Sequence, residues 1–167
     1  MFQSLISTVP ADIDIECEGS DYSTVVPIAA CGQTGRVVSV DCRLDYTSNL
    51  FGVPASAWFH EFSFSITCAD VEGGEVFTTQ DRTIARRYIP EDAIPVVMPI
   101  VLACCDAMVT RVRPRSLYRV TKMAKPTDRA LEKHNLITIL LHSRGYMLLQ
   151  QGTDTFHRTF WHMGTTN

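Results

Sequence analysis

The longest mostly apolar run, residues 90–113, constrains the fold more than any other part of the chain. Wound as a helix at about 100° per residue, its apolar side chains cover roughly two thirds of the circumference, with Arg111 as the charged exception. They are Ile94, Val97, Met98, Val101, Leu102, Cys105, Met108, Val109 and Val112. We therefore predict a buried central helix that either starts near Pro95 and bends at Pro99 or starts at Pro99.

The same run is not expected to cross a membrane. A spanning helix needs about 20 uninterrupted apolar residues, whereas Asp106 and two prolines interrupt this one. The N-terminal segment has neither the basic nor the apolar region of a secretory signal. The six cysteines show no CxxC spacing, so we expect reduced, buried thiols in a cytoplasmic protein.

Residues 1–167 are expected to form a single α+β domain, because a chain of this length buries a substantial core. Alternating apolar and polar residues predict strands at 35–46, with one buried and one wet face, and at 58–68. A short acidic strand is predicted at 13–17, a hairpin turn at 72–75 and a loop at 47–56. The state of residues 20–31, which contain Pro27, stays open.

The C-terminal half is expected to add a strand, a helix and a hairpin. The strand covers residues 116–123. Thr127 is a candidate N-cap and Gly145 a C′ residue, which predicts a helix between them, although residues 136–141 also suit a buried strand. Two β-rich runs, 146–151 and 155–163, predict a C-terminal β-hairpin tied to the core by Phe156, Phe160 and Trp161. The predicted fold is thus an antiparallel sheet of several strands with two helices packed on one face.

No residue pattern identifies catalytic chemistry. Cys104 and Cys105 lie within the apolar run, where burial raises a thiol pKa and favours core packing over reactivity. The five histidines show no metal-ligand spacing. Gly32 to Gly35 lacks the pattern of a phosphate-binding loop. We therefore predict no catalytic residues, no metal site and no cofactor.

The distribution of charge is uneven. Residues 1–81 contain 12 acidic and 2 basic residues, whereas residues 82–167 contain 13 basic and 6 acidic residues. Within the second half, one stretch combines positive charge with an aromatic side chain, as a nucleic-acid backbone site does. These candidate binding residues are Arg111, Arg113, Arg115, Tyr118, Arg119, Lys122, Lys125 and Arg129. The alternative is that these bases pack against the acidic half and neutralise it.

Three functional hypotheses follow from these observations. The first is a small cytoplasmic, non-enzymatic binding protein, such as an accessory, inhibitor or assembly subunit, that acts through protein–protein contacts or self-association. The second is a nucleic-acid-binding domain that uses residues 111–129. The third is a hydrolase or metal enzyme built from scattered cysteines and histidines.

Overall fold

The computed structural model describes residues 1–47, 58–70, 72 and 74–165. These residues form a mixed α+β structure of nine strands and three helices, which confirms the predicted fold class. The strands are β1 (Gln3–Ser4), β2 (Glu16–Glu18), β3 (Asp21–Ala30), β4 (Val37–Thr47), β5 (Phe59–Ala69), β6 (Glu75–Thr79), β7 (Ser116–Val120), β8 (Tyr146–Thr153) and β9 (Thr159–Thr165). The helices are α1 (Arg82–Ala85), α2 (Ile94–Val112) and α3 (Asp128–Ser143). Apart from its first residue, the loop predicted at 47–56 lies outside the described residues.

The nine strands belong to one sheet with the order β1-β3-β4-β5-β7-β9-β8, with β2 paired to β3 and β6 to β5. The β7–β9 and β8–β9 pairs are antiparallel. In contrast, β5 and β7 are parallel, with His60 opposite Leu117 and Glu61 opposite Tyr118. The prediction of an antiparallel sheet is therefore wrong at this pair. Parallel neighbours need a long crossover connection, which the segment containing α2 provides.

The chain divides into two compact units, and each of the elements β3, β4, β5 and α2 has residues in both. The first unit consists of Met1–Glu16, Ser23–Cys42 and Phe64–Cys104. The second consists of Cys17–Tyr22, Arg43–Ser63 and Cys105–Asn167. The single domain inferred from the sequence stays a prediction.

The first unit contains the predicted hairpin between β5 and β6, which pair antiparallel with Ile66 opposite Thr79. The Asp70 carboxylate accepts the backbone N–H groups of Glu72 and Gly74, at 3.1 and 2.8 Å. Such a side chain replaces the backbone acceptors that a turn lacks and so closes the connection. The hairpin prediction is confirmed.

Two strands near the middle of the sheet differ from expectation. Residues 21–30, left open in sequence, form β3 in spite of Pro27, whose side chain is exposed. In β4 the predicted wet face is wrong for Ser39 and Asp41, which are both buried. β4 lies between β3 and β5 in the sheet order, and an interior strand can be covered on both faces.

The central helix is present as α2, with Pro95 in its first turn and Pro99 inside it. Its buried side chains from residue 100 onwards form two adjacent rows, each with a spacing of four residues: Ile100, Val101, Cys104, Cys105, Met108 and Val109. Val97, Met98, Leu102 and Val112 are only half-buried. The buried arc is therefore narrower than the helical wheel predicts.

By length and hydropathy alone, α2 could also cross a membrane, with 33% of its most apolar window buried. The core helix of a soluble protein meets the same criteria, so this is weak evidence for a membrane segment. The expectation that the protein has no membrane segment stays a prediction.

The C-terminal elements largely follow the sequence prediction. Thr127 caps α3 by accepting the Ala130 N–H, and Gly145 has a φ of 86° just after the helix, so residues 136–141 are helical. β8 and β9 form the predicted hairpin, but β9 starts at Thr159 rather than at residue 155. The intervening turn closes on Asp154, whose carboxylate accepts the N–H groups of Phe156 and Arg158.

The aromatic residues of the hairpin are not equivalent. Trp161 is buried and Phe160 half-buried, in accord with their predicted role in the core. Phe156 is exposed, so the prediction that it anchors the hairpin is wrong. It lies in the turn between β8 and β9, outside both strands.

Candidate functional site

The predicted basic site separates into two exposed groups. Arg111 lies in the last turn of α2, and Arg113 and Arg115 precede β7. The remaining exposed bases, Lys122, Lys125 and Arg129, follow β7. A five-residue strand spans roughly 17 Å at 3.3 Å per residue, so β7 holds the two groups at opposite ends.

Arg119 does not belong to either group, because it is fully buried in β7. One guanidinium nitrogen donates to the His134 carbonyl at 2.7 Å, and the other donates to Thr138 Oγ1 at 2.6 Å and to Met163 Sδ at 3.7 Å. The guanidinium carbon also lies 5.3 Å from the centre of the Trp161 ring. Arg119 therefore does not lie on an exposed surface.

The electrostatics of Arg119 are those of a cation held by neutral acceptors. Burial lowers its pKa to about 10, while the charge of nearby Cys105 acts in the opposite direction. Burial, followed by the positive charge of Arg119, lowers the pKa of His134 to about 3. His134 is therefore neutral near pH 7, stacked on Trp161 with ring centres 4.6 Å apart. Arg119 thus connects β7 to α3 and does not face solvent.

Tyr118, the aromatic residue of the predicted site, is also buried. Its ring stacks on His162 with a centroid distance of 4.1 Å and an interplanar angle of 9°. The ring of Phe59, on β5, lies against the Tyr118 ring with a centroid distance of 4.5 Å. Tyr118 therefore cannot stack on a nucleic-acid base in this conformation, and the exposed bases lose the aromatic partner that the sequence suggested.

A row of side chains that the sequence did not predict crosses four neighbouring strands. The strand pairing places Glu61 opposite Tyr118, Tyr118 opposite His162, and His162 opposite Gln150. Ser116 Oγ lies 2.8 Å from His162 Nε2. Burial lowers the pKa of His162, and burial together with Asp45 raises the pKa of Glu61, against the effect of Arg158.

A Ser–His contact is a necessary part of a nucleophilic site, but it is not sufficient. Such a site also needs a group that orients the histidine. Within the described residues, no carboxylate is hydrogen-bonded to His162. This row could be found only from strand pairing, because Ser116 and His162 are 46 residues apart.

A shallow cleft of about 420 Å³ lies between α3 and the ends of β8 and β9. It is lined by Leu131, Asn135, Gln151, Gly152, Thr153, Thr159 and Trp161. All of its polar side chains are uncharged, so no group in the lining supplies acid–base chemistry. In the part of the chain that the structure describes, no cluster of three or more potential metal ligands occurs.

The cysteines are free thiols, with Cys17 exposed and the other five buried. Cys104 receives a hydrogen bond from Cys42, which lowers its pKa against the effect of burial. Hydrogen bonds from Thr34 lower the pKa of the Cys31 thiol to about 7, and the bond from the Thr34 side chain has the largest effect. These hydrogen bonds favour the thiolate form of Cys31.

We expect a thiol-specific colorimetric reagent to modify Cys17 first in the folded protein, because it is the exposed cysteine. After denaturation without reductant, all six cysteines should react. A Cys17→Ser variant should lose the fast phase and retain the other thiols. A native disulfide, seen as fewer than six thiols in the denatured protein, would contradict both the free-thiol prediction and the expected reducing compartment.

The last feature is the exposed apolar strand at one end of the sheet. β8 ends the strand order, and among the described strands it pairs only with β9. All its residues except Tyr146 and Gly152 are exposed, including the consecutive Met147, Leu148 and Leu149. A register irregularity between Leu148 and Gln150 leaves Leu149 without a partner residue on β9. β8 therefore presents both apolar side chains and an open backbone edge.

The chain matches no protein-family model, no curated protein and no solved structure. The residues and their geometry therefore carry the functional argument.

Proposed function

We propose that this is a small cytoplasmic, non-enzymatic protein that acts through protein–protein contacts, and that β8 is the strand through which it binds. The observation that carries the proposal is the exposed apolar edge at Met147, Leu148 and Leu149. An open strand edge pairs with an extended segment of a partner by backbone hydrogen bonds, while side-chain contacts supply selectivity.

The composition of β8 supports this role. Natural sheets usually protect an edge strand with charged side chains, because an unprotected edge pairs with other chains. β8 contains no charged residue, whereas the short strand β2 carries exposed Glu16 and Glu18. Helix α3, which contacts β8, adds exposed Leu136 and Ile139.

A photo-crosslinking amino acid in place of Leu149 tests the proposal in the native host. We expect a discrete protein adduct from this position and none from Val25, which is equally apolar and similarly exposed, at 57% against 59%. The absence of an adduct at position 149, or the same adducts from both positions, would contradict binding through β8.

Binding of a polyanion remains a second candidate function, supported by the six exposed bases at the two ends of β7. Charge reversal at Arg115 and Lys122, one from each group, separates this function from the first. If the bases bind nucleic acid, Arg115→Glu with Lys122→Glu should abolish low-salt binding without changing the melting temperature, since surface charges contribute little to stability.

The measurement is a salt titration of binding to duplex DNA and to single-stranded RNA. Affinity that falls steeply with salt in the wild type, and is lost in the double variant, would favour this second function. A matched Arg86→Glu with Arg87→Glu variant, at exposed bases outside the stretch, controls for net charge. If the wild type binds neither the DNA nor the RNA measurably at low salt, this second function is excluded.

A further inference from the structure

We propose that the protein has a second contact surface, a tip of two loops that docks on an anionic lipid membrane. The tip consists of residues 121–129, which connect β7 to α3 and include the start of that helix, and residues 154–158, which connect β8 to β9. Met123 and Phe156 enter the lipid, and the surrounding bases contact anionic headgroups. The tip acts independently of the edge of β8 and adds to the protein–protein role proposed above.

Hydrogen bonds join the two loops of the tip. The Thr121 N–H donates to the Thr159 carbonyl at 2.9 Å. The Lys125 N–H donates to the His157 carbonyl at 2.8 Å. The buried hydroxyl of Thr121 accepts the Thr159 N–H at 2.9 Å and donates to the Met123 carbonyl at 3.2 Å. The two loops therefore form one continuous tip at the same end of the sheet.

The backbone of the tip is held in a specific conformation. Lys125 and His157, which share a hydrogen bond, have φ angles of 51° and 60°, in the left-handed region that residues with a Cβ rarely adopt. Asp154 closes the second loop by accepting the N–H groups of Phe156 and Arg158. Strained backbone persists only where the surrounding contacts over-determine it. The tip therefore presents its side chains from a pre-organised backbone.

The tip exposes apolar side chains next to basic ones. Met123 is 62% exposed and Phe156 is 52% exposed. Isolated exposed apolar residues are common on soluble proteins, but these two lie on loops that are hydrogen-bonded to each other. In sequence, Lys122 and Lys125 flank Met123 and the exposed Ala124. This combination suits a membrane interface, because long basic side chains reach the headgroups while apolar side chains enter the acyl region.

The tip carries a net positive charge. Residues 121–129 and 154–158 together contain four basic and two acidic residues, which gives a net charge of +2. Asp154 is paired with Arg158 at 2.7 Å. Asp128 lies in the first turn of α3, where a carboxylate offsets the helix dipole. The bases that face an external anion are all exposed: Lys122, Lys125 and Arg129.

An anionic lipid surface fits the tip better than a nucleic acid does. Single-stranded nucleic acid stacks its bases on open aromatic faces, whereas Tyr118 is buried and the Arg158 guanidinium carbon lies 5.3 Å from the centre of the Phe156 ring. Met123, the more exposed of the two apolar residues, has no ring. Lipid needs only exposed apolar side chains beside bases, and the cytoplasmic leaflet is rich in anionic lipid.

Co-sedimentation of the full chain with vesicles tests the docking. We expect binding to vesicles of equal parts phosphatidylcholine and phosphatidylserine and little binding to phosphatidylcholine alone. Lys122→Glu with Lys125→Glu should weaken binding by roughly 25-fold or more, because each base near an anionic surface contributes about fivefold. Arg113→Glu with Arg115→Glu makes the same charge change at exposed bases beyond the other end of β7 and should retain most of the affinity. Equal losses in both double variants would overturn docking through the tip.

Insertion of the apolar side chains has its own measurement. Brominated acyl chains should quench the added fluorescence of Phe156→Trp, after subtraction of the signal from Trp58 and Trp161. Ile139→Trp is the control and should not be quenched, since Ile139 is 65% exposed but lies roughly 15 Å along α3 from the tip. Phe156→Ala should weaken vesicle binding about tenfold, and Ile139→Ala should not. Melting curves without vesicles should match the wild type for every variant. Vesicle binding without quenching at position 156 would overturn insertion.

Nucleic-acid binding is the alternative outcome. If the wild type binds single-stranded RNA but not the anionic vesicles, and Lys122→Glu with Lys125→Glu abolishes RNA binding, the tip is a nucleic-acid site and its assignment to lipid is wrong. If the wild type binds neither at low salt, the tip is not a docking surface for either. The adduct expected from position 149 depends on β8 alone, so neither result bears on the binding role of that strand.

Discussion

Replacing Arg119 by alanine is expected to destabilise the protein by about 3 kcal/mol or more. Truncation of a large buried side chain costs about 2–5 kcal/mol in comparable cases. It also removes the guanidinium hydrogen bonds to the His134 carbonyl and to Thr138 Oγ1. Hydrogen bonds from a charged donor contribute about 1.5–3 kcal/mol each. The free energy of unfolding in urea is the quantity to measure.

Arg119→Met is the matched control. It keeps most of the buried volume and removes the charge, and such replacements of buried ions are often close to neutral. Thr138 Oγ1 also donates to the His134 carbonyl at 3.0 Å, so both acceptors keep one partner when the guanidinium is absent. We therefore expect Arg119→Met to reduce the free energy of unfolding much less than Arg119→Ala does. Equal stability of the wild type and Arg119→Ala would show that Arg119 is exposed.

The second large effect is expected for Met108→Ala in α2. Met108 is fully buried, and truncation of buried methionine to alanine costs about 2–5 kcal/mol because of lost burial and the cavity that remains. Leu102→Ala in the same helix is the control, since Leu102 is only half-buried. Leu102→Ala should reduce the free energy of unfolding clearly less than Met108→Ala does, although the helical wheel assigns both residues to the apolar arc.

Thermal unfolding of the two α2 variants checks this order. A loss for Leu102→Ala that equals or exceeds the loss for Met108→Ala would show that another protein surface covers the outer side of α2. The comparison also bears on the membrane question, because a helix inserted in lipid would tolerate both substitutions similarly.

The buried Arg119 changes the interpretation of the basic stretch. In sequence it is one of seven bases with Tyr118 among them, and the hypothesis of a nucleic-acid site treats all seven as exposed. In the structure the two residues at the centre of the stretch are buried on β7, and the exposed bases lie at its ends. A charge reversal that includes Arg119 would therefore confuse unfolding with loss of binding, whereas Arg115 and Lys122 avoid this problem.

Several elements could be predicted from the sequence because local interactions define them. Thr127 and Gly145 mark the ends of α3 through a cap and a left-handed residue, both of which depend on near neighbours. The hairpin of β5 and β6 depends on the turn beside Asp70. The central helix was predicted from its apolar run, although the width of its buried arc was not. Periodicity identifies apolar positions but not the neighbours that cover them.

The sequence alone determined the α+β class, the presence of the central helix and the two ends of α3, because short-range spacing and capping encode these features. The tertiary structure decided that β5 and β7 are parallel, that Arg119 and Tyr118 are buried, and that Ser116 contacts His162. It also decided that β8 ends the sheet with an open apolar edge. Each of these features depends on which distant strands become neighbours, and long-range pairing, rather than any local pattern, makes that choice.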